Sequence, residues 1–177
     1  MTKSVLLPAR ILLETSYNTL YTNTTQNFKT PRDQSSERVQ VLNKRFMPAP
    51  RNQILGVLAT TRTDIERYNT KMYFLGVNYL ELEEDTDGYS FTAPGGQDYT
   101  IERINENSND VRVACTCLDF YYRFAPWNYS DGSLHGNPPP PYVKTTDREP
   151  YNPDKIPGLC KHMISLASEL RADGMFE

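Results

Sequence analysis

Apolar and β-branched positions alternate with polar ones most clearly in the middle third of the chain, and that pattern predicts a small antiparallel sheet. Lys71 to Leu80 is dense in aromatic and β-branched residues. Glu81, Glu83, Glu84, Asp85 and Asp87 then end it in a charged turn closed by Gly88. Tyr89 to Thr92 reads as a short return strand, Pro94-Gly95-Gly96 as a turn, and Tyr99 to Ile101 as renewed alternation. After the polar loop 105–110, Val111 to Cys115 is the last strand. The acidic run 81–87 lacks the ligand spacing of a calcium loop and is read as a solvated turn.

The period changes near the C-terminal end. Leu159, Met163, Leu166, Ala167 and Leu170 form a helical stripe, and Pro157-Gly158 breaks the chain just before it. Between Glu14 and Gln53 neither period persists: polar residues carry scattered Tyr17, Leu20, Tyr21, Phe28, Phe46 and Met47, punctuated by Pro31, Pro48 and Pro50. This stretch is read as an extended arm whose apolar anchors dock on a neighbour, the other reading being a surface excursion over its own core. The expected architecture is an α+β domain over 54–177, a small antiparallel sheet and one C-terminal helix, preceded by an extended basic arm over 1–53.

Charge supports a division of the 177 residues. Residues 1–53 hold 8 Lys and Arg against 3 Asp and Glu, residues 54–110 hold 4 against 11, and residues 111–177 hold 7 against 8. A basic head on an acidic body suits an electrostatic partner: nucleic acid, an acidic protein or another copy of the chain. No apolar run approaches the roughly 20 residues of a membrane-spanning helix, and Pro8, Arg10 and Glu14 interrupt the first apolar patch, so neither a span nor an export signal is expected.

The three cysteines carry the candidate chemistry, and their odd number in a chain read as unexported favours reduced thiols. Cys115-Thr116-Cys117 stands at a strand end, where residues i and i+2 project to one side. Cys160-Lys161-His162 stands at a helix start, whose dipole favours a thiolate. Cys115, Cys117, Cys160 and His162 thus make a Cys3His set suited to structural zinc, with no open coordination position. The competing reading has three thiols and a core histidine merely packing. A nucleophile–base pairing of Cys160 with His162 fails because a thiolate closed around a metal is not free to attack. His135, between Leu134 and Gly136, is read as a loop residue, and no phosphate loop, dinucleotide fingerprint or His-Glu-x-x-His occurs. No catalytic activity is expected.

The Cys-x-Cys followed by Cys-x-His resembles the SWIM-type zinc motif, in which a β-hairpin supplies the first pair and a helix start the second. The segments Cys117 to Ala125, Leu134 to Gly136, Pro138 to Tyr142 and Asn152 to His162 are similar to SWIM-containing structural proteins of large tailed phages, including phages of cyanobacteria. That resemblance, over residues 70–172, implies a virion component of neck, tail or baseplate, assembled in the host cytoplasm. Its partners would be other virion proteins and copies of itself; a SWIM-type nucleic-acid-binding regulator is the alternative. Within the insert, Phe120, Tyr121, Tyr122, Phe124, Trp127 and Tyr129 form an aromatic cluster that can supply burial. Arg123 among them is a candidate for stacking on a base, and the prolines at 138–141 favour a stiff extended segment.

Overall fold

A computed structural model of the chain describes residues 15–28, 38–64, 66–81, 87–140, 147 and 149–177. Seven strands follow in chain order: β1 (Val39–Ala49), β2 (Ile54–Thr63), β3 (Glu66–Leu75), β4 (Tyr79–Leu80), β5 (Tyr89–Thr92), β6 (Asp98–Ile101) and β7 (Val111–Cys115). The helices are α1 (Tyr17–Asn27), α2 (Ala125–Asp131), which continues a π-helical turn at Phe120–Phe124, and α3 (Lys161–Ala172). Strands β1-β2-β3-β7 form one antiparallel sheet in that order, and β4-β6-β5 form a smaller one. The architecture is the expected α+β arrangement, and the strands Tyr89–Thr92 and Val111–Cys115 fall where the alternation puts them.

One face of the larger sheet is the floor of the core. Leu55, Val57, Met72, Phe74 and Val113 have at most traces of exposure, and Met163, Leu166 and Leu170 of α3 pack above them. Each such side chain contributes roughly 1.5 to 3 kcal/mol by leaving water. The helical stripe read from sequence is this buried face: Leu159, Met163, Leu166, Ala167 and Leu170 are all fully enclosed.

The N-terminal third corrects the extended-arm expectation. Residues 17–27 are helical and residues 39–49 are a full strand, so the proposed boundary at 53/54 falls inside a hairpin. α1 escapes a periodicity search because only Tyr17, Leu20 and Thr24 face inward on an otherwise Thr- and Asn-rich surface. Ser16 caps it by accepting from the Thr19 amide at 3.2 Å. Tyr17 stacks on Phe176 and Leu20 is wholly buried, so these two supposed docking anchors belong to this domain's own core; Phe28 and Phe46 pack against it, whereas Tyr21 and Met47 are exposed. In β1 the alternation is broken by a bulge between Val41 and Asn43, which shifts the inward set from odd to even positions and hides the strand period. Residues 1–14 and 29–37 of the expected arm lie outside the described residues.

Candidate metal centre

Two elements present the four side chains. β7 pairs with β3 so that Cys115 lies opposite Thr70 at the sheet's end, and Cys117 follows two residues later at the entrance to the π-helical turn. The other pair is carried by a tightly pinned segment ahead of α3. Asn128 grips Gly158 from both sides, accepting from its amide at 2.9 Å and donating to its carbonyl at 3.1 Å. A side chain at Gly158 would collide with Thr24 Oγ1 at 2.6 Å and the Phe124 ring at 2.7 Å, so the close approach requires glycine. The Leu159 amide donates to Thr24 Oγ1 at 2.8 Å. Cys160 follows in extended conformation as the N-cap of α3, placing His162 in the first helical turn.

These constraints bring all four predicted ligands together. One ligand atom from each of Cys115, Cys117, Cys160 and His162 lies within 4.8 Å of every other. His162 Nδ1 is 3.8 Å from both the Cys115 and the Cys160 Sγ. For bond lengths of about 2.3 Å to sulfur and 2.0 Å to nitrogen, a tetrahedral site has S···N edges of about 3.5 Å. The cluster is therefore close to the size that a single four-coordinate cation would impose, and it could hold such a metal ion.

Its surroundings suit thiolates. The Phe120 amide donates to Cys117 Sγ at 3.3 Å, and the Thr70 hydroxyl stands 3.7 Å from Cys115 Sγ, itself 3.1 Å from Thr61. Hydrogen bonds from the Cys117 and Cys160 thiols pull the Cys115 thiol down to about 4, whereas burial first, and then its two sulfur neighbours, push Cys160 well up. A divalent ion held by the cluster would favour the thiolate form of its sulfur ligands. His162 is buried, its Nε2 has no hydrogen-bond partner, and the Tyr68 ring lies 4.4 Å away at 43°. The Tyr68 hydroxyl donates to Glu66, which pushes it up to about 12.

Thr70, Tyr68 and the Phe120 amide are the supporting groups that motif reading missed. Their signal is the β3–β7 register and the turn after Cys117, neither of which shows in one dimension. Arg123 is not a free base-stacking residue: it pairs with Asp119 at 3.1 Å and lies among the rings of Phe28, Phe124 and Tyr151. His135 is more than a loop residue, because its amide donates to the Val113 carbonyl at 2.9 Å and its ring stacks on Tyr73 at 3.9 Å. In the acidic run, Asp87 pairs with Arg103 at 3.0 Å, and residues 82–86 lie outside the described residues. Pro138 to Pro140 adopt no regular structure, and Pro141 is also outside them. Among the described residues no helix is long and apolar enough to cross a membrane.

Fold and site together define an α+β chain with a buried Cys3His centre between a strand end and a helix start. No family model matches this chain, nor does any curated protein or solved structure.

Proposed function

We propose that the chain is a zinc-stapled structural component of a tailed-phage virion, in neck, tail or baseplate, acting through protein–protein contacts. The observation that carries the structural role is the closed donor set: Cys115, Cys117, Cys160 and His162 use all four tetrahedral positions. Three thiolates and an imidazole favour zinc over the hard cations that prefer oxygen. Such a site joins elements and offers no position to a substrate.

The contact role is supported by the aromatic surface beside the centre. Leu118, Tyr122 and Tyr151 are 69%, 50% and 71% exposed, and Tyr121 and Tyr129 also reach the surface. Large rings at the surface are the residue types enriched at protein interfaces. The assignment to a virion rests on the resemblance of residues 70–172 to SWIM-containing phage structural proteins.

Mass spectrometry of gradient-purified particles of the phage that carries this sequence tests the reading. The chain is expected at a fixed copy number per particle, with one zinc per purified chain by elemental analysis. A chain abundant in infected cells but absent from purified particles refutes the virion role, and folded protein without metal refutes the staple.

A further inference from the structure

The outer face of the larger sheet carries a charge that its own side chains do not answer. Successive residues of a strand point to opposite faces. Since Val57, Met72 and Val113 point into the core, their strand neighbours Leu58, Lys71, Tyr73 and Arg112 point outward. The register extends the assignment: Arg45 lies opposite Leu58, which lies opposite Lys71; Tyr73 lies opposite Arg112; and Arg62 lies directly opposite Arg67. Every charged residue at an outward position of β1, β2, β3 and β7 is a cation: Arg45, Arg62, Arg67, Lys71 and Arg112. None of the five makes a salt bridge among the described residues.

This is a local feature and does not follow from composition, because the whole chain has a net charge of -3. Arg62 against Arg67 is a like-charge cross-strand pair, an arrangement that weakens a hairpin unless an anion sits over it. The basic residues extend about 20 Å along β3 and about 14 Å across the four strands. Near one end lies the stacked Tyr73–His135 pair, half-buried, with ring planes 18° apart. Lys71 and Arg112 are close enough to that pair to help hold His135 below the ordinary imidazole range, after the larger effect of burial.

We propose that this sheet face binds a single nucleic-acid strand. The five cations contact phosphates, and the His135–Tyr73 pair offers a ring face to a base. Four of the five are arginines, whose planar forks match phosphate oxygens in pairs. A basic sheet face with an aromatic platform is an arrangement by which single strands are held with little sequence preference. An acidic peptide would use the same cations but would leave the ring pair without a role. The inference stands on this face alone and does not depend on the virion reading or on the metal.

The test is fluorescence anisotropy with the full chain and a fluorescein-labelled oligothymidylate of about 20 nucleotides. Five phosphate contacts on a single strand give a slope of log K against log salt of about -3.5, so raising salt from 50 to 200 mM weakens binding about a hundredfold. Arg62→Gln with Arg67→Gln removes two contacts and reduces that loss to about twentyfold, with a slope near -2. Arg45→Gln with Lys71→Gln, on different strands, is expected to give the same reduction, which separates lost contacts from a local folding defect; melting curves check that both variants are folded. Three results overturn the proposal. They are no binding by folded protein at 50 mM salt, unchanged slopes in both double variants, and polyglutamate of matched charge displacing the probe as well as unlabelled oligonucleotide does. The last would assign the face to an acidic protein segment.

Discussion

Replacing Cys160 by serine sets two physical effects of opposite sign against each other. Cys160 is the N-cap of α3, with φ -81° and ψ 164°, and its side chain makes no capping hydrogen bond. Serine is among the best N-cap residues, and a hydroxyl here that turned to accept from an amide of the first turn would gain about 1 kcal/mol. If Cys160 only packs, Cys160→Ser is therefore neutral or stabilising, and the melting temperature stays or rises by about 2 to 4 °C for a chain of this size. If Cys160 is one of four zinc ligands, the balance reverses. Structural zinc contributes about 10 to 16 kcal/mol in small fingers, so even a quarter of that is about 3 kcal/mol. Subtracting the cap leaves a net loss of at least about 2 kcal/mol and a fall of at least about 4 to 8 °C. The assay is thermal melting by circular dichroism of both proteins, purified with zinc and repeated after chelation, with elemental analysis alongside. With zinc the serine variant melts lower; after chelation it melts at or above wild type. A serine variant at least as stable as wild type in the presence of zinc refutes the ligand assignment.

The other expectations follow from single contacts. Leu20→Ala should cost about 2 to 5 kcal/mol in chemical denaturation, because Leu20 is fully enclosed; a loss below about 0.5 kcal/mol would return α1 to the status of a dispensable arm. Thr24→Val strands the buried Leu159 amide and should cost about 1 to 3 kcal/mol by the same measurement, whereas Thr24→Ser keeps the acceptor and should be milder; equal effects would show that Thr24 acts by shape alone. His135 is held below its ordinary range by burial first and then by Lys71 and Arg112, so its contribution is intact above the unfolded value near pH 6.5 and is lost as pH falls toward the folded value. His135→Phe keeps a ring over Tyr73 and removes the titration, so the melting-temperature difference between variant and wild type should move in the variant's favour below pH 6.5; a pH-independent difference contradicts this.

What could be read from sequence was what repeats locally. The stripe from Leu159 to Leu170 shows itself because Leu159, Met163, Leu166, Ala167 and Leu170 recur at helical spacing, even though His162 and Ser165 between them are buried as well, and the Cys-x-Cys and Cys-x-His spacings show themselves because i and i+2 fix a direction on a strand end or helix start. α1 stayed hidden because its inward face includes a threonine whose role is to receive an amide from residue 159, a requirement visible only in three dimensions. β1 stayed hidden because its bulge changes the parity of the pattern and because Lys44 points inward, toward Glu169 and Asp173 of the C-terminal region. The π-helical turn after Cys117 was read only as a run of aromatics; it buries Phe120 and Phe124 and sends Tyr122 outward, a division that neither the 3.6 nor the 2.0 period detects.

The contacts that join the two ends of the described chain also govern the order in which it can be made. Tyr17 rests on Phe176, and Thr24 receives the amide of Leu159. On a translating ribosome at about 5 to 20 residues per second, the hairpin of β1 and β2 can form early, but α1 then waits for about 135 further residues before its seat exists. During those seconds its apolar face has no cover from the native fold, and Cys115 and Cys117 stand as an incomplete pair, since the other two ligands emerge last. Closure of the core and completion of the cage of three sulfurs and one nitrogen thus fall together at the end of synthesis. If the cage closes on a metal ion, a cell short of that metal accumulates chains with both α1 and α3 still searching, the population on which chaperones and proteases act.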